Sequence, residues 1–538
     1  MYNNNFRKKS QVIRSLFTLP LLFLITTLFI ILTADVAFAK ITKGPLLLRV
    51  AESRAALMWE TDTQCPGKVS YGCEQESTKQ VITIPQQVDY EIATDPNTNI
   101  KKTVFIHKTW LEGLQPGRFY SYSVADANSE SKTYRFHTPS ADTDEVKFVS
   151  CGDSQGNPSV YRKLVELMMS KNIDFVIRTG DMVSRGGRYE QWEQQLFEPL
   201  KGLAESVPVY AAKGNHDRSD KNYFETLLVP PGQSADYSFD YGPVHYYIAD
   251  NSSDERKQSQ ILSLIASDMN DSCRLWKFVS YHKPSLNLGG HWSFWGYPNA
   301  MPTLSKAGVD FVTSGHSHQY ERFRPVAPAV GTNGSFVTYI TSGGGGGGLV
   351  DVTPVAYHAH AEKIHHFCLF HIKGNKLTMD AIDVDGRIID HLEISKTNGR
   401  PDKQYLQTAV PMEAVRIYRD LSRKTPAAIA VTPQKSCPFI VTYQLSVPPL
   451  AQPAEITFEL CSEQGNYQLP QPKTLKVPKE GGTIRTELTV TPLVEVGVPP
   501  DDRGRAKPIA PALWLDCHYQ IDDIQEDVSH PIEAKSIN

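Results

Sequence analysis

Cysteine is scarce in this 538-residue chain, at eight residues. That is too few for a disulfide framework to stand in for a hydrophobic core. Long apolar runs are missing after Leu32, so nothing beyond that point reads as a spanning helix. Excess positive charge is missing too: the formal net charge is −4, which argues against a nucleic-acid backbone as partner. The six glycines 343–348 are not followed by Lys-Ser/Thr or by a helix pattern, which excludes a P-loop. They read instead as a mobile loop at the rim of a site.

Residues 1–39 start basic (Arg7, Lys8, Lys9, Arg14), continue as an apolar run over 16–32 and end in Ala37-Phe38-Ala39. This pattern reads as a secretory signal peptide, and Pro20 and the small-residue end favour cleavage over an uncleaved anchor. No cysteine follows the site to carry a lipid. The expected location is secreted or periplasmic, with no stable membrane span after cleavage. What remains holds 51 Lys and Arg against 58 Asp and Glu, a net charge of −7. In an oxidising compartment Cys65 and Cys73 could bridge, whereas Cys151 reads as a core thiol.

The 499 residues after the leader exceed one domain. Over 40–140 short alternating runs such as Leu46-Leu47-Leu48-Arg49-Val50 are separated by turns such as Gln115-Pro116-Gly117, the pattern of an antiparallel β-sandwich. Over 143–396 strands alternate with helices: Asn157 is an N-cap with Pro158 behind it, and a second helix is expected over 189–203. Strands at 337–340, 367–370 and 377–379 follow without helices, which predicts a second sheet packed on the first. From 397 to 538 an amphipathic stretch (413–422) leads into another run of strands, expected to be a second sandwich of unknown role.

Inside 143–396 five apolar runs each end in a ligand-type side chain. They are Phe148-Val149-Ser150-Cys151-Gly152-Asp153, Phe175-Val176-Ile177-Arg178-Thr179-Gly180-Asp181, Val209 to Asp217 with Gly214-Asn215-His216-Asp217, Trp276 to His282, and Phe311 to Arg322 with Gly315-His316-Ser317-His318-Gln319-Tyr320-Glu321-Arg322. Glycine precedes Asp153, Asp181, Asn215 and His316, which lets the backbone turn close to a bound ion. Open α/β sheets gather such loops at the carboxyl ends of their strands. Four further histidines, His358, His360, His365 and His366, lack the carboxylates of a closed metal site and read as loop and strand residues.

The ordered set G-D, G-D, G-N-H-D, H and G-H-x-H resembles the calcineurin-like metallophosphoesterases, and its G-H-S-H-Q-Y-E-R ending resembles the purple acid phosphatase branch. The resemblance covers about 143–396. The stretch Leu114-Gln115-Pro116-Gly117-Arg118-Phe119-Tyr120 resembles the fibronectin type III-like domain that precedes the catalytic domain in that branch. It implies a two-sheet αββα sandwich of α/β class, flanked by an N-terminal fibronectin type III-like sandwich and a C-terminal all-β domain. It implies two divalent or mixed-valence metal ions (Fe, Zn or Mn), Asp181 bridging them, Asp153 and His318 on one, and Asn215, His282 and His316 on the other. His216 is then the proton donor or electrostatic partner at the leaving group, oriented by Asp217. His291, in the polar-aromatic stretch 289–295, and Asn215 would touch phosphate.

Two departures from that branch stand out. Gln155 follows Asp153 where other residues are usual, and either ligates through its carbonyl oxygen or only binds a water. Ser184 stands where a ligating Tyr gives the purple colour, and Tyr189 is the nearest phenol, so a colourless protein is expected. The function expected is a phosphoesterase acting on phosphomonoesters by attack of a metal-bridging hydroxide. The alternatives are a nucleotidase or phosphodiesterase of the same fold, or an inactive metal-binding surface adhesion protein.

Overall fold

The computed structural model describes residues 40–534 apart from 74–76, 96–97, 127–129, 425, 427–433, 463–464 and 499–504. The leader read from the sequence lies outside these residues. None of the described helices is long and apolar enough to cross a membrane.

Two seven-stranded sheets form the centre. In the first, Glu145–Cys151, Phe175–Arg178 and Val209–Ala211 run parallel. His366–Lys373 pairs antiparallel beside Glu145–Cys151, and Lys376–Asp383 and Ile388–Thr397 extend it. In the second, Val244–Ile248, Trp276–Ser280, Phe311–Ser314 and Thr338–Ser342 run parallel. The strands through 367–370 and 377–379 therefore enlarge the first sheet, contrary to the expectation from sequence. An antiparallel hairpin can add to any open edge, and here the free flank of Glu145–Cys151 takes it.

Strand alternation fixes which side chains face the second sheet. Phe148 turns inward, where it stacks on Phe175 at 4.7 Å and Phe370 at 4.8 Å and meets Phe278 edge-on at 5.3 Å. Its neighbour Val149 turns outward, into the cluster holding Tyr161, Leu164 and Val165 of helix Pro158–Met169. That helix starts as its sequence requires, with Asn157 accepting from the Val160 amide at 3.3 Å and Pro158 in the first turn. On the far side, Val279 and Val312 pack against Ile261, Ile265, Met301 and Leu304 from helices Gln258–Asp271 and Ala300–Lys306. Helices thus cover both outer faces, giving the αββα sandwich. The helix expected over 189–203 is broken: Tyr189–Trp192 passes into a π-turn at Glu193–Phe197 and ends at Leu200.

Before the two central sheets stand two four-stranded antiparallel sheets closed over Leu57, Trp59, Val69, Tyr120, Tyr122 and Phe136. After them come helix Met412–Arg423 and sheets of three and four strands. Cys65 and Cys73 are unbridged. They flank strand Gly67–Gly72, whose extended length of about 20 Å holds them far beyond disulfide reach.

Candidate metal centre

Because the parallel strands of each sheet point the same way, their carboxyl ends meet at one edge, and the five loops converge there. Three of the converging residues, Asp153, Asp181 and His316, have φ of 56°, 51° and 71°. Such left-handed backbone is unfavourable for residues with a Cβ and persists where the surroundings over-determine it, often at functional sites. Gly180, at φ 99°, allows a close approach: a Cβ there would lie 2.5 Å from His282 Nδ1.

Asp181 lies between two groups of donors. On one side its Oδ2 is 3.2 Å from His282 Nε2, and Asn215 Oδ1 is 3.0 Å from both His282 Nε2 and His316 Nδ1. On the other side Asp181 Oδ2 is 3.4 Å from Gln155 Nε2, which is 3.2 Å from His318 Nε2, itself 3.5 Å from Asp153 Oδ1. Asp153 and His282 are fully buried, and Asp181 nearly so. Ligand atoms of Asp181, His282 and His316 all fall within 4.8 Å of one another.

Backbone groups orient this set. His282 Nδ1 donates to the Thr179 carbonyl at 2.9 Å and His318 Nδ1 to the Gly348 carbonyl at 2.9 Å. A carbonyl can only accept, so each imidazole keeps its proton on Nδ1 and turns Nε2 toward the carboxylates. The His316 amide donates to Asp153 Oδ2 at 2.9 Å, and the His216 amide to Asp181 Oδ1 at 2.8 Å.

His282 Nε2, Asn215 Oδ1 and Asp181 Oδ2 therefore converge, an arrangement that a cation satisfies by taking the place of the Nε2 proton. The Gln155 Oε1 atom, buried without a hydrogen-bond partner beside His318, adds one more acceptor. Burial opposes charging His282, yet Asp181 and Asp153 outweigh it and raise its pKa to about 9. Burial likewise opposes ionising Asp181, yet His282 and the His216 amide bring its carboxyl down to about 2. The field at this edge favours positive charge, and oxygen and imidazole donors of this kind suit Zn, Mn or Fe.

The glycine stretch corrects the expectation of a mobile loop. Residues 343–347 are buried. Gly345 and Gly347 donate to the carbonyls of Gly152 and Asp153 at 2.9 and 2.7 Å, and a Cβ on Gly347 would sit 2.7 Å from the His318 ring. Here glycine serves close packing: a backbone strap presses between the Asp153 and His318 loops.

His216 is exposed, with Nδ1 bonded to the Ser184 carbonyl at 2.8 Å. Asp217 is not the partner of that ring: its buried carboxylate accepts from the amides of Met182 at 2.8 Å and Gly214 at 2.9 Å, tying the Asp181 loop to the Asn215 loop. Burial and the nearby Asp181 push the Asp217 carboxyl up to about 7. His291 overhangs the centre, its ring 5.8 Å from His316 and 5.4 Å from His318, with Nδ1 on the His316 carbonyl at 3.1 Å. The Ser184 hydroxyl turns to Gln195 at 3.0 Å. Tyr189 is buried and donates to Glu60 of the N-terminal sandwich, away from the metal loops.

The four later histidines go to separate partners. His358 pairs with Glu321 at 3.1 Å, His360 with Glu362 at 3.1 Å, and His365 and His366 bond the Gly344 and Ile364 carbonyls at 3.0 Å. Reading the sequence did not find what Glu321 does: its buried carboxylate also accepts from the Leu288 amide at 3.1 Å and from Asn287, fixing the loop that leads to His291. Nor did it find the bracing of that loop by helix Met412–Arg423, where Arg419 stacks on Tyr297 at 3.8 Å and Arg423 lies 5.8 Å from Phe294. Arg178 gave a signal that could have been followed, as a charge inside an apolar strand. It is buried behind the Asp153 loop, donates to Ser154 Oγ at 2.7 Å and stacks on Tyr161 at 4.3 Å.

Residues 146–320 match the model of the calcineurin-like phosphoesterase family, and residues 47–138 that of the purple acid phosphatase N-terminal domain. The chain carries a calcineurin-like phosphoesterase domain behind a purple acid phosphatase N-terminal domain. Among curated proteins, this chain is 24% identical over 355 residues to a protein of Arabidopsis thaliana named probable inactive purple acid phosphatase 1, covering 54% of this chain and 58% of that one. It is 24% identical over 279 residues to acid phosphatase type 7 of Mus musculus, covering 45% and 62%. The chain thus spans about half the length of the curated relatives it matches. A purple acid phosphatase from yellow lupin (Lupinus luteus) seeds shares the fold, with a TM-score of 0.58 at 19% identity over 68% of this chain and 75% of that one. Purple acid phosphatases use dinuclear centres of Fe, Zn or Mn.

Proposed function

We propose that this chain is a secreted or periplasmic phosphoesterase that hydrolyses phosphomonoesters at a dinuclear metal centre. The observation that carries this reading is the place of Asp181, within 3.2 Å of the His282 side and 3.4 Å of the Gln155 side of the donor set. A carboxylate there serves two cations with one charge. Asp153 and His318 would complete one shell, with Gln155 beside it, and Asn215, His282 and His316 the other. Such a pair, when bound, holds the phosphate, activates water and steadies the attacking and leaving oxygens of an in-line displacement.

The chain's own residues do the remainder. His216, braced by the Ser184 carbonyl on Nδ1, has Nε2 free to donate, once protonated, to the departing oxygen. His291, held by the His316 carbonyl, offers Nε2 to a phosphate oxygen. Asp217 acts at one remove, by locking the two loops that bear Asp181 and Asn215. With Ser184 turned to Gln195 and Tyr189 bonded to Glu60, no phenolate reaches the centre from these positions, so the iron-loaded protein stays colourless.

The test is metal analysis alongside hydrolysis of an aryl phosphate. The parent should hold two equivalents and turn over the monoester, whereas Asp181→Asn should lose both metals. Two equivalents retained in Asp181→Asn would remove it from the bridging position. A parent that hydrolyses no aryl mono- or diester with Zn, Mn or Fe would favour the adhesion reading. His216→Ala should keep its metals and lose roughly 100-fold in turnover on an alkyl ester, with a smaller loss on a nitrophenyl ester whose departing oxygen needs little protonation.

A further inference from the structure

Residues 355–358 read Val-Ala-Tyr-His and lead into strand His358–Glu362. That strand pairs antiparallel with Tyr320–Phe323, which follows directly on the His316 and His318 loop. The C-terminal sheets hold this turn at two points. Glu526, from strand Ile524–Pro531, accepts from the Ala356 amide. Tyr519, from strand Leu513–Ile521, bonds the hydroxyl of the buried Tyr357. That hydroxyl gives its one proton to the Ala414 carbonyl at 3.1 Å, so Tyr519 is the donor of the pair.

The turn passes its position on through His358, whose side chain is 2% exposed. The Val355 amide donates to His358 Nδ1 at 3.1 Å. This puts the ring proton on Nε2, which donates to Glu321 Oε1 at 3.1 Å. The fully buried Glu321 also accepts from Asn287 and, at 3.1 Å, from the Leu288 amide. Losing one donor leaves a buried carboxylate oxygen underpaired, so the donors hold their places together. Only Gly289 and Gly290 separate Leu288 from His291, and both are packed. A Cβ would meet Gln319 at 2.5 Å on the first and Val350 at 2.2 Å on the second. The His291 amide then rests on Ser317 Oγ at 3.0 Å.

We propose that the C-terminal sheets position His291 through this chain of contacts, with Tyr519, Glu526 and His358 as positioning residues for the bound phosphate. The proposal rests on the phosphoesterase reading above, in which His291 meets a phosphate oxygen. It gives the C-terminal sheets a part in the reaction although none of their residues need touch the substrate.

The experiment measures kcat and KM of the metal-loaded full chain on nitrophenyl phosphate. Tyr519→Phe and Glu526→Ala should each lower kcat/KM by on the order of threefold to tenfold, the worth of one hydrogen bond, mainly through KM and with both metals retained. Glu526→Gln, whose side-chain carbonyl still accepts, should recover part of the loss. In a His291→Ala background the same substitutions should cost nothing further, because coupled residues are non-additive. Val441→Ala, at a buried position of the C-terminal sheets outside this chain of contacts, should lower the melting temperature and leave kcat/KM unchanged. Hydrogen exchange over residues 286–297 reads the loop without activity: Tyr519→Phe should speed it, whereas Val441→Ala should match the parent. Equal losses with and without His291, or unchanged kcat/KM and exchange in Tyr519→Phe, would overturn the proposal. A parent that hydrolyses no aryl phosphate sinks the phosphoesterase reading instead, and the exchange comparison then decides the positioning alone.

Discussion

The two β-sandwiches look alike in sequence and are attached differently. In strand Arg54–Thr61 of the first, seven of eight residues are buried. Leu57 and Trp59 face the sandwich interior, while Ala56 and Met58 join the cluster that holds Tyr189, Trp192 and Phe224 of the catalytic domain. Strand Phe439–Val447 of the second alternates buried with exposed or half-buried positions, and its inward side chains belong to one continuous core with helix Met412–Arg423 and the second catalytic sheet. The first sandwich keeps its own interior and docks by an outer sheet face. The second has no interior separate from the catalytic domain. They also reach opposite flanks of the centre, Tyr189 and the His216 loops on one side and the His291 loop on the other.

The largest expected effect tests that difference in cores. Ile417→Ala, at a fully buried position of the shared core, should cost about 2–5 kcal/mol and lower one calorimetric transition covering catalytic domain and C-terminal sheets together. Leu57→Ala, equally buried, should cost a similar amount but move a separate transition and leave metal content intact. If both variants shift the same single transition, the distinction between the sandwiches is lost.

Acid should sharpen the comparison next. His107 of the first sandwich is buried between Thr61 and Thr83, stacked on Trp59 at 4.7 Å, and burial pulls its pKa down to about 4. Between pH 6.5 and 4 the unfolded chain binds this proton and the folded chain does not, so stability falls as pH falls through that window, by at most about 3 kcal/mol. The first sandwich should therefore loosen before the metal loops do. A pH series of thermal melts checks this, and His107→Gln should flatten the acid limb.

The smallest effect concerns the other flank. Arg419→Ala removes the guanidinium stacked on Tyr297, an interaction of about 0.5–2 kcal/mol. The expected result is a threefold to tenfold loss in kcat/KM with both metals retained, partly restored by Arg419→Lys. Unchanged kinetics would mean that helix Met412–Arg423 supports the fold without positioning His291.

Local chemistry made the five strand–loop units legible. An apolar run, a glycine and a ligand-type residue are contiguous, and Gly180 before Asp181 or Gly315 before His316 is needed whatever lies elsewhere. Asn157 and Pro158 announced their helix for the same reason. Partners outside these segments could not be read. The brace on His216 is the Ser184 carbonyl, a group every residue has and no sequence pattern marks, whereas the Asp217 carboxylate accepts from the amides of Met182 and Gly214.

The sequence by itself determined the inner and outer faces of the strands, the residues offered at their ends, and the family resemblance those residues carry. Only the tertiary structure decided which sheet took the strand His366–Lys373, that residues 343–347 are a packed strap, and that arginines far along the chain brace the rim at Tyr297. The physical reason is that periodicity and backbone conformation are short-range properties of the chain. Edge pairing, close approach and charge stacking depend on what a distant segment brings into contact, and a glycine gives the same signal for freedom as for tight packing.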